Sequence, residues 1–104
     1  MEERRRHPRI ATVTATPGYN AERTPLDDPL ARSVAAAAKP FGALVLPSLG
    51  GSLPLYIFRE KLGASTVSLG LANHDNNQHA EDENVRIGNV WRAIEIAAAV
   101  MQMR

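Results

Sequence analysis

The chain has 104 residues, 44% of them hydrophobic and 22% charged, and its net charge is +1 with 12 Lys plus Arg against 11 Asp plus Glu. That length holds one small domain burying about 60–65% of its unfolded surface, and the apolar content argues against wholesale disorder. Balanced charge gives no reason to expect nucleic acid or an anionic membrane, zero cysteines exclude a disulfide scaffold, a zinc finger and a thiol nucleophile, and no apolar run reaches the ~18 residues of a membrane span.

Arg4, Arg5, Arg6 and Arg9 crowd the first nine residues without interleaved aromatics. A solvated terminus is the simpler reading than a phosphate contact. Residues 10–16 are rich in β-branched side chains and are stopped by Pro17-Gly18, as a strand followed by a turn would be. Asp27-Asp28-Pro29 is a helix-start signal, a carboxylate cap followed by proline. Leu30, Val34, Ala37 and Ala38 then keep helical spacing until Lys39-Pro40.

Residues 43–46 are wholly apolar and bounded by Gly42 and Pro47, which predicts a parallel strand covered on both faces. A second helix is expected over 52–62, with Ser52 as cap and Gly63 as stop. Residues 66–69 read as another short strand. A polar loop of unusual length follows over 70–86. The last helix is expected over 89–103, with Ile87, Val90, Trp91, Ile94, Ala97, Ala98 and Met101 as its apolar stripe. Trp91 and the three methionines are expected to fill the core.

Strand, helix, strand, helix is half of a doubly wound α/β unit with a right-handed crossover. Ligands in such sheets gather outside the carboxyl ends of the strands. The segments 47–52 and 70–86 both follow expected strand ends, so any chemistry belongs there.

Gly50-Gly51-Ser52 opens the second expected helix, where close backbone approach and free N–H groups suit a carboxylate or phosphate. The same three residues also suit a tight turn with no ligand, and the full phosphate-loop spacing is absent. His79 lies among amides and carboxylates. Neutral imidazole ligates zinc, and Glu81, Asp82 or Glu83 is near enough in sequence to orient it. His74 reads as solvent-facing or as a loop-stabilising donor. No serine sits in a nucleophile-elbow pattern. A catalytic zinc needs about three protein ligands, and the chain has three histidines, one of them His7 near the start.

Three stretches together resemble a known family: the run from Pro47 through Gly50-Gly51-Ser52 to Pro54, Leu62-Gly63-Ala64, and Asn73-His74-Asp75-Asn76-Asn77-Gln78-His79-Ala80. In order and spacing they are similar to the C-terminal part of the co-catalytic zinc exopeptidases of metallopeptidase family twenty. Carboxypeptidase G, acetylornithine deacetylase, succinyl-diaminopimelate desuccinylase, aminoacylase and carnosinase-type dipeptidases belong to it. The likeness is strongest from Pro47 to the last helix and reaches loosely back to Arg23-Thr24-Pro25.

The resemblance implies an α/β fold: the strand-helix-strand-helix end of a catalytic domain with parallel strands, preceded by one lid-domain strand. Residues 1–9 would be a disordered basic terminus, 10–26 the last lid strand and its connection, and 27–104 the end of the catalytic domain. His79 would be one ligand of a two-zinc site, and Gly50, Gly51 and Ser52 would hold the substrate's terminal carboxylate. Glu83 fits the family pattern after the histidine, whereas Asp82 replaces an Asn and accepts hydrogen bonds without donating. Substrates would be dipeptides or N-acyl amino acids, in the cytoplasm. The general base and the remaining ligands have no counterpart here, so the chain is expected to be a fragment without catalytic residues, inactive alone. It would associate with the missing N-terminal portion or form a homodimer. A second reading is a non-catalytic module that joins another chain through an exposed sheet edge.

Overall fold

Asp28 starts helix α1 (Pro29–Ala38), accepting the Leu30 N–H at 2.8 Å while Pro29 sits where a missing N–H costs nothing. The structure, a computed structural model, describes residues 9, 14, 17–51 and 53–103. Pro40 cannot extend the α-helical ladder. The chain therefore tightens into a 3-10 turn (Lys39–Phe41) and leaves through Gly42 at φ 71.

Helix α2 (Tyr56–Leu62) ends at Gly63, whose φ of 61 is open to glycine without a Cβ clash. The expected start at Ser52 is corrected. Pro54 disfavours a helical Leu53, and residues 53–55 instead form a turn closed by a 2.8 Å bond from the Leu55 N–H to the Leu53 carbonyl. Ser52 itself lies outside the described residues. Helix α3 (Ile87–Met101) begins two residues earlier than expected and packs on α1.

The parallel sheet is overturned. Among the described residues there is no strand at all, only three α-helices and the 3-10 turn. Residues 43–46 and 64–73 run without helix, turn or bend and without a positive φ. Their backbone groups are nonetheless not paired with each other, and apolar content alone does not make a strand without a neighbour to receive its ladder. The expected lid strand over 10–16 lies outside the described residues, apart from residue 14.

A strap over residues 19–24 holds α2. Tyr19 stacks on Tyr56 at 5.9 Å, the Asn20 amide donates to Glu60 at 3.1 Å, and Arg59 pairs with Glu22. Thr24 then clasps Thr66 twice: its Oγ1 donates to the Thr66 carbonyl at 2.7 Å and accepts the Thr66 N–H at 3.1 Å. Beyond it, Ser65 donates to the Asp28 cap at 2.7 Å. That hydroxyl is the main cause holding the Asp28 carboxyl below its ordinary value.

Only Val34, Ala38 and Ile96 are buried hydrophobic residues among those described. Trp91, expected in the core, is 62% exposed and Met101 is 87% exposed. The reason lies in α3. Trp91, Ile94 and Met101 lie on the side of the helix away from Ile96, and α1 is its principal helical neighbour. Met103 is half-buried, and Met1 lies outside the described residues.

The radius of gyration is 18.2 Å, against about 13 Å for a compact domain of this length. The accessible surface is 9113 Å², where a folded monomer of 11.3 kDa scales to about 5700 Å². No helix among the described residues is long and apolar enough to cross a membrane.

Candidate functional site

The polar loop over 73–86 is organised by one side chain, Asn73, the only buried polar residue among those described. Its amide nitrogen donates to Asp75 Oδ1 at 2.6 Å and to Asn84 Oδ1 at 3.1 Å. Its amide oxygen accepts the Arg86 N–H at 3.0 Å, at the mouth of α3. Asn84 adds bonds from its amide to the Asp82 carbonyl at 3.0 Å and from its backbone N–H to Asn76 at 2.9 Å. Every hydrogen-bonding group of the Asn73 side chain is used, which is what burial of an amide requires.

Asp75 closes the loop from outside. The Asn73 amide is the main cause lowering its carboxyl below the ordinary 3.8, and Arg86 contributes through a 2.8 Å contact. His74 is solvent-facing, its ring 3.9 Å from the Asp75 carboxylate.

His79 sits near the tip, exposed, at φ 65. Asn77 and Asp82 share this left-handed conformation, at φ 51 and φ 59. Histidine, asparagine and aspartate tolerate the region better than most residues, though glycine is cheaper. The His79 ring makes no hydrogen bond or ion pair with another described residue. Asp82 contributes its backbone bend and its carbonyl, which Asn would supply equally well. Its carboxylate, like those of Glu81 and Glu83, is exposed.

Gly50 and Gly51 lie on the other side of α2 in the sequence, both exposed. A Cβ at Gly50 would meet nothing within 4 Å, one at Gly51 only the Leu49 side chain at 3.7 Å, and neither has a positive φ. Nothing inside the described chain therefore demands glycine at either position. α2 starts four residues after Ser52, so these residues do not form the helix N-terminus that the sequence suggested for anion binding.

The candidate residues are not brought together. Gly51 borders a wide open trough of about 1140 Å³, and His79 does not line it. No group of three or more His, Cys, Asp or Glu capable of holding a metal occurs among the described residues. His79 alone does not make a zinc site, so this chain by itself does not fit the implied metal pair.

Compared with protein-family models, curated proteins and solved structures, the chain matches none of them.

Two structurally important residues carry no functional signal in the sequence: Asn73, which organises the loop, and Thr24, which clasps Thr66. Asn73 was one polar residue in a run of them, and burial set it apart. Thr24 lay in a region of weak pattern, although a Thr ahead of Pro is a common turn partner for backbone groups.

Proposed function

We propose that this chain is the C-terminal portion of a metal-dependent hydrolase of amide or peptide bonds in small substrates, dipeptides or N-acyl amino acids. In the assembled enzyme it supplies His79 as one metal ligand and Gly50, Gly51 and Ser52 as the turn that receives the substrate carboxylate. One observation carries this reading: an exposed histidine is held at φ 65 on a loop tied at its base by a fully satisfied buried amide. Left-handed backbone at a non-glycine residue costs energy and clusters at ligand sites, which supports a histidine retained here for its side chain. The two uncrowded glycines support it further, since open backbone there leaves room for a ligand to approach. Asp82 in place of Asn is compatible, because its part in the loop runs through its backbone.

The chain acts only once joined to the portion carrying the remaining ligands and the base. Purified with added zinc, it should hydrolyse no N-acyl amino acid or dipeptide. Turnover that His79→Ala abolishes would overturn the dependence on a second portion. Coding sequence in frame upstream of Met1 should contain a His-x-Asp pair and a Glu-Glu pair. In that longer product, His79→Ala should lower activity by more than the roughly 10–100-fold typical of residues that merely support a ligand. An unchanged rate would sink the assignment.

A further inference from the structure

We draw no further inference here: the strongest candidate, the exposed apolar stripe of Ile87, Trp91, Ile94 and Met101 on the face of α3 turned away from Ile96, has nothing in the structure to show what covers it.

Discussion

The loop over 73–86 and the trough beside 67–72 are adjacent in sequence and opposite in physical character. In the loop, polar side chains satisfy one another locally: Asn73, Asp75, Asn84 and Arg86 form a closed network within 14 residues of chain. Along residues 43–51 and 67–72 beside the trough, the large apolar side chains are exposed and the backbone makes no hydrogen bond with another described residue. Hydrogen bonds between near neighbours in sequence cost little loop-closure entropy, whereas an apolar layer needs a second surface supplied from far away. The part bearing His79 is thus finished by its own sequence. The part meant to be core is not.

The sharpest way to break that contrast is Asn73→Ala. Loss of the amide removes the three hydrogen bonds it makes to Asp75, Asn84 and Arg86, whose freed groups are exposed and pass to water, at a net cost of about 1–2 kcal/mol. The urea midpoint should fall and amide exchange across 74–86 should speed up, while 43–51 exchanges as fast as before. Unchanged protection in the loop would mean that Asn73 does not organise it.

Acid should act on the same network and leave the trough alone. Because the Asp75 carboxyl is lowered below 3.8 in the folded chain, its contribution is fully present above about pH 4. It is lost as pH falls through the lower folded value. Asp28 has the same sign, through the Ser65 hydroxyl. Stability should therefore be level from about pH 5 to 7 as far as these groups act, and decline below about pH 4. Asp75→Asn should flatten part of that decline. A profile identical to the parent's would remove Asp75 from the account.

His79 offers a smaller effect with a clear sign. Glycine relaxes at φ 65 and alanine does not, so His79→Gly should be more stable than His79→Ala by up to about 1 kcal/mol in urea unfolding. Equal stabilities would show that the left-handed backbone carries no cost, and the reading of His79 as retained for its side chain would lose its support.

What the sequence made legible follows the same division. Asp28-Pro29, the stop at Gly63 and the existence of the last helix were readable because caps, prolines and helical periodicity are local signals. The polar loop stood out by its length and composition. The two strands were misread because an apolar run reports burial only if something covers it, and residues 43–46 and 66–69 have no ladder partner here. The importance of Asn73 is not legible for the converse reason: its hydrogen bonds reach Asn84 and Arg86, 11 and 13 positions away, which no local pattern encodes.

Trp91 puts the smallest number on the contrast. Read from the sequence, a lone tryptophan in an apolar stripe belongs to the core, and its loss would cost about 3–5 kcal/mol. In the structure its side chain is 62% exposed, on the face of α3 turned away from Ile96. Trp91→Gln should therefore change the stability of this chain by no more than about 0.5 kcal/mol, the range of ordinary surface substitutions. Ile96→Ala, on the opposite face and buried, should cost about 2–5 kcal/mol. A large loss at Trp91 would mean that α3 is covered on both faces in solution by another copy of the chain, and sedimentation would then show the self-association. A small loss confirms that this face of α3 contributes little to the stability of the chain.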